Sequence, residues 1–192
     1  MPETFIPKHG GYQNLKSYQK AAIVYDATAY FCDRYLNPRD RTHDQMIQAA
    51  RSGKQNIVEG SMASGVSKKT ELTLTNVARA SLEELLEDYL DFLRGCGCEE
   101  WPQDHPYRER LQELNRIPNG DYATFQKGIE HEDPVVSANV IIGLIRVTCY
   151  LLDRQLSQLE ARFLEEGGIR ERMTQARSAR REVQRREKGR RT

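Results

Sequence analysis

Arginine dominates the last stretch of the chain. Between Gly167 and Thr192 stand ten basic residues, Arg170, Arg172, Arg177, Arg180, Arg181, Arg185, Arg186, Lys188, Arg190 and Arg191, against three acids, Glu171, Glu182 and Glu187. Nine of the ten are arginine, whose planar fork of donors suits phosphate, whereas a merely solubilising face would take lysine equally well. Arg177, Arg181 and Arg185 recur at i, i+4 spacing and fall on one helix face. No aromatic residue interleaves them, so contact with nucleic acid would be directed at the phosphate backbone and sensitive to salt, without base stacking. A solvated tail with no ligand is the plain alternative. A smaller basic set, Arg39, Arg41, Arg51, Lys54, Lys68 and Lys69, surrounds the second helix and the turn after it, diluted by Asp40, Asp44 and Glu59.

Other chemistry-bearing residues are thinly placed. A dinuclear carboxylate bundle needs Glu-x-x-His pairs on two helices. None occurs, and Asp40-x-x-His43 reads as an N-terminal helix charge beside a solvated histidine. Cys96-Gly97-Cys98 has His105 nearby but no second cysteine pair to complete four zinc ligands, and reads as a glycine-rich helix end. Cys32 and Cys149 fall on apolar seams as buried thiols, and His131, Glu132 and Asp133 precede the fourth helix, where acids suit the dipole. Gly60-Ser61 and Gly65-Val66-Ser67 do not complete a Gly-x-Ser-x-Gly elbow, and Gly60 to Gly65 lacks the Gly-Lys-Ser/Thr ending of a phosphate loop. No catalytic residue, metal ligand or cofactor site is expected.

Helices must position these residues. After an N-terminal arm, residues 1–13, the first helix carries Leu15, Tyr18, Ala22, Tyr25, Ala29, Cys32 and Leu36 as a heptad seam, stopped by Asn37-Pro38. The second, from Arg41 to about Met62, is rich in small residues, Ala49, Ala50, Ser52, Gly53, Gly60 and Ser61, which let a neighbouring backbone come close. On it, Asn56 reads as a partly buried amide that fixes register across helices, with a surface role for Asn56 or Glu59 as the alternative. The third helix opens at Ser67, runs to about Leu93 with Ala78, Leu82, Leu85, Tyr89, Phe92 and Cys96 as its seam, and ends at Gly95 and Gly97. Residues 99–132 form an insertion with two short helical patterns, Tyr107 to Asn115 and Tyr122 to Glu130. Asp133-Pro134 then opens the fourth helix. Its seam is Val135, Ala138, Ile142, Ile145, Cys149, Leu152, Leu156, Leu159 and Phe163, and a second stripe, Val140, Leu144, Val147 and Leu151, lies nearly opposite. Either the insertion lies over that stripe or the four residues form a subunit interface. The bundle proper spans residues 14–166, and the basic extension 167–192.

The 192 residues carry 29 lysines plus arginines against 28 acids, a net charge of +1, which excludes a uniformly basic nucleic-acid coat protein. That sum conceals a split, with −6 in residues 1–166 and +7 in residues 167–192. Hydrophobic content of 38% beside 30% charge favours amphipathic helices with wide wet faces. Four cysteines and no secretory leader point to reduced thiols and a cytoplasmic protein. Ser137, Asn139, Arg146 and Thr148 break the densest apolar stretch, so no membrane span is expected.

The second and third helices carry a recognisable order of residues: Asp44-Gln45, Ala49-Ala50, Ser52, Asn56-Ile57 and Glu59-Gly60, then Ser67-Lys68-Lys69 and Ala80-Ser81-Leu82-Glu83-Glu84. With Leu15, Tyr18, Lys20 and Ala21, they resemble the bacterial four-helix-bundle proteins related to the ribosomal-RNA intervening-sequence proteins. That family includes the accessory protein of diversity-generating retroelements. The likeness covers about residues 12–97, and the chain looks like a long variant bearing an insertion and a suffix. The resemblance implies a homo-oligomer, typically a pentamer, and association with RNA in a ribosomal setting or with a reverse transcriptase. The expectation is therefore an all-α, up-and-down four-helix bundle. It has a short helical insertion and a basic C-terminal helical extension, and it acts without catalysis as an oligomer on nucleic acid, above all RNA. The alternative is an oligomeric protein-binding adaptor with no nucleic-acid contact.

Overall fold

In a computed structural model of the chain, residues 10–166 and 169–189 are described, without the side chains of residues 166, 169–172, 175 and 187–189. Seven α-helices follow a single 3₁₀ turn, Tyr12–Asn14, and the described residues hold no strand. Of the expected N-terminal arm, residues 1–9 lie outside the described residues.

Local capping chemistry sets most helix boundaries. α1 (Lys16–Tyr35) ends where Leu36, ahead of Asn37-Pro38, turns extended. α2 (Arg41–Ala63) opens on Asp40, whose carboxylate accepts from the Thr42 backbone N–H. α3 (Lys68–Gly95) opens on Ser67, whose hydroxyl accepts from Thr70 N–H. It closes with Gly97 in the left-handed region at φ +68°, while Cys98 N–H reaches Leu93 O and Gly97 N–H reaches Arg94 O. The insertion holds α4 (Pro106–Asn115) and α5 (Tyr122–Ile129), the latter opened by a reciprocal Asp121–Thr124 capping box. α6 (Pro134–Glu166) starts where Asp133 accepts from Val135 N–H with Pro134 in the first turn. α7 (Ile169–Gly189) follows.

α1, α2, α3 and α6 pack in a ring, each against its two neighbours, and α4 and α5 lie against α6. Consecutive members run antiparallel. Ser52 Oγ meets Ser81 Oγ at 2.9 Å in the middle of the α2–α3 pair, while Gly60, late in α2, faces Glu71 and Leu74, early in α3. Ser17 Oγ donates to Gln155 at 2.7 Å at one end of the α1–α6 pair, and Tyr35 donates to His131 O at the other. Phe31, Tyr89 and Phe92 stack edge-on at 5.0 Å in the centre.

Glycines on α2 permit the close approach anticipated for its small residues. A Cβ on Gly53 would lie 2.7 Å from the buried Leu82, and one on Gly60 would lie 3.4 Å from Glu71 O. The α1 seam differs from the expected one by a residue. Its buried face is Ser17, Ala21, Val24, Thr28 and Phe31, flanked by Ile23, Ala27 and Cys32, whereas Tyr18, Ala22 and Tyr25 are only half-buried. Ser17 and Thr28 hold core positions because each has a partner, Gln155 and the Tyr89 hydroxyl respectively. On α3 the expected Ala78, Leu82, Leu85 and Tyr89 are buried, with Leu93 in place of the exposed Cys96.

α6 corrects the expectation that no segment reaches membrane length. By length and composition it could cross a bilayer, with a window of mean hydropathy 1.9, yet 61% of that window is buried inside the protein. Its polar interruptions are satisfied there. Ser137 donates to Ile129 O, Thr148 to Leu144 O, and Asn139 bridges Val135 O and the Trp101 N–H.

Candidate nucleic-acid interface

On α7, Arg177, Arg180, Arg181, Arg185 and Arg186 are all exposed. At about 100° per residue, Arg180, Arg177, Arg181 and Arg185 fan across an arc of roughly 140°, which also holds Gln184, Thr174 and the exposed Met173. Glu182 lies beyond the edge of that arc, so no described acid interrupts the guanidinium face. The side chains of Arg170, Arg172 and Lys188, and all of Arg190 and Arg191, lie outside the described residues.

The second basic set is partly drawn into the bundle. Lys68 is tucked against Glu71 at 3.2 Å, both largely buried. Lys54 places its ammonium 3.7 Å from the centre of the Tyr25 ring, on the α1 side. Arg51 and Lys69 are exposed. Two of these four cations, Lys54 and Lys68, are thus engaged within the bundle.

Of the residues singled out on α2, Asn56 and Gly60 are built into the helix and its packing. Asn56 Nδ2 donates back along its own helix to Ser52 O at 2.9 Å and approaches Ser52 Oγ at 3.2 Å. The link across helices is instead Ser52 to Ser81, so register is carried through a serine pair that Asn56 supports. Gly60 is buried at the α2–α3 contact and Glu59 is exposed.

His43 is also not the solvated residue that its position suggested. It is 9% exposed, with Nε2 3.2 Å from Asp33 on α1 and Nδ1 3.2 Å from Asp44. Cys32 and Cys149 are buried, and burial foremost, with nearby carboxylates, pushes both thiols up to about 12. Such thiols are protonated at neutral pH and poor nucleophiles. No group of three or more His, Cys, Asp or Glu converges among the described residues.

The second stripe of α6 is divided. Val140 and Leu144 are buried within the single chain, Leu144 completely, while Val147 and Leu151 are partly exposed. α4 and α5 supply part of this cover. A Cβ on Gly143 would strike Leu111 of α4 at 2.3 Å, and one on Gly128 of α5 would sit 3.0 Å from Val140. The interface assignment for Val140 and Leu144 is therefore corrected: the chain itself covers them. The insertion is pinned further by Arg146 and Arg108, both paired with Glu100, and by Arg108 donating to Trp101 O at 2.7 Å.

Sequence reasoning missed Lys20. Its ammonium nitrogen is buried without a hydrogen-bond partner, 4.2 Å from the centre of the Phe125 ring. Burial foremost, with Lys16 adding repulsion, lowers its pKa to about 8. Nothing in the surrounding sequence distinguishes it from a surface lysine, because the burying ring comes from α5.

No protein-family model matches the chain, and no curated protein or solved structure is similar to it at a significant level.

Proposed function

We propose that the protein is a non-catalytic nucleic-acid-binding or scaffold protein whose α7 lays its arginine face along a phosphate backbone, RNA above all. The observation that carries this reading is the exposed arc of Arg180, Arg177, Arg181 and Arg185, which no described acid interrupts. Without interleaved aromatics, recognition is by charge and shape, and sequence preference is weak. The residue order on α2 and α3 that resembles RNA-associated bundle proteins points the same way, toward a ribosome precursor or a reverse-transcriptase complex. Self-association of the body would multiply α7 and turn weak phosphate contacts into avid ones. The exposed Tyr150, with the half-exposed Val147 and Leu151, supplies an apolar strip for that association.

The test is a gel shift with RNA at two salt concentrations, comparing wild type with the triple variant Arg177→Ala, Arg181→Ala, Arg185→Ala. Loss of three phosphate contacts flattens the log–log salt slope by roughly 2–3 and weakens every RNA about equally. A variant that binds as tightly as wild type, with the same slope, rejects the role of α7.

A further inference from the structure

A cleft of about 420 Å³ lies between α4, α5 and α6, within the range of roughly 300–1,000 Å³ typical of small-molecule sites. Its apolar wall is Trp101, Leu111, Leu114, Phe125, Val136 and Val140. The Trp101 wall is fixed in place. Its backbone N–H donates to Asn139 at 2.8 Å, its carbonyl accepts from Arg108, and its ring stacks on His105 at 4.7 Å. A rigid aromatic wall holds its shape without a ligand, so little ordering opposes binding.

The polar groups that line the cleft share one sign. They include Lys127, Arg110 and His131, and no acid. Glu113 neutralises Arg110 at 2.7 Å, which leaves Lys127 as the exposed cation with no ion pair among those described. His131 Nδ1 accepts from the Asp133 N–H at 3.0 Å, so a neutral ring carries its proton on Nε2 and presents a donor. An apolar wall, a cation and a donor define one class of occupant.

We propose that this cleft binds a small amphipathic anion, with its apolar body against Trp101, Phe125 and Val136 and its anionic head at Lys127 and His131. The site is independent of the arginine face of α7, so either reading can fail alone. Decanoate is the probe and decanol its uncharged counterpart, and each is titrated into the full-length protein below its aggregation limit. Trp101 is the only tryptophan in the chain, so its emission reports this cleft. Decanoate is expected to change Trp101 emission saturably with one site per chain, and to bind about fivefold more tightly than decanol, as one exposed charge contact allows. Lys127→Glu, on an exposed position, removes that preference while decanol binding persists. Val136→Phe, with folding checked by circular dichroism, fills the cleft and weakens both ligands. The absence of any saturable Trp101 response to decanoate overturns the proposal. So does equal affinity for decanol, or undiminished binding in a folded Val136→Phe protein.

Discussion

Single positions where the backbone or a charge is tightly confined carry the sharpest consequences. Gly53 has no room for a methyl group because Leu82, fully buried, occupies it. Gly53→Ala gains about 1 kcal/mol of helix propensity and loses about 1–3 kcal/mol to overpacking. The melting temperature should fall by about 2–4 °C on a net loss near 1 kcal/mol, whereas Gly95→Ala, which meets nothing within 4 Å, should not lower it. Lys20 gives a pH signature. Its folded pKa of about 8 lies below the unfolded value of 10.5, so the charged form is penalised by folding below pH 8, and that penalty fades as pH rises toward 10.5. Cys32 and Cys149 act oppositely. Their thiols, raised from 9 to about 12, help stability that is lost as pH climbs through that window, so comparison must be by difference. Lys20→Met should therefore melt above wild type at pH 7, with the gap narrowing toward pH 10 in paired thermal scans. The small-residue character of α2 was readable in the sequence. Leu82 as the occupant at Gly53 and Phe125 as the cover of Lys20 were not, because each comes from a segment distant along the chain.

Element boundaries were legible where a cap writes them locally. Ser67 before α3, Gly97 after it and Asp133-Pro134 before α6 each act within four residues. The buried face of α1 was not, because two of its core positions, Ser17 and Thr28, are polar and become core only when Gln155 and Tyr89 meet them. An apolar-periodicity reading slides one residue to the tyrosine-bearing stripe for that reason. Within the insertion, α4 docks through Leu111, its one buried residue, 6% exposed and pressed against Gly143. Leu111→Ala should cost about 2–5 kcal/mol, and the loss should fall on the docking of α4. Trp101 emission should shift to the red and hydrogen exchange should quicken across α4, while amides in the middle of α3 keep their protection.

At the scale of the molecule, an acidic ring of helices carries a basic helix, and only the second α6 stripe left its cover undecided from sequence. The chain settles half of that question itself by burying Val140 and Leu144 and leaving Val147 and Leu151 at the surface. A subunit contact on this face must use the latter pair with Tyr150. Light scattering on Leu151→Glu should then report a smaller particle than wild type at equal concentration, and a wild type that is already monomeric rejects the contact. The charge split was legible as arithmetic, whereas its presentation as an arginine arc on α7 that no described acid interrupts required helical geometry. The closeness of Leu111 to Gly143 also has a historical consequence. For a lineage carrying this protein, the two codons form one inheritance. A side chain at 143 and the leucine at 111 compete for one space, so what either position tolerates depends on the residue at the other.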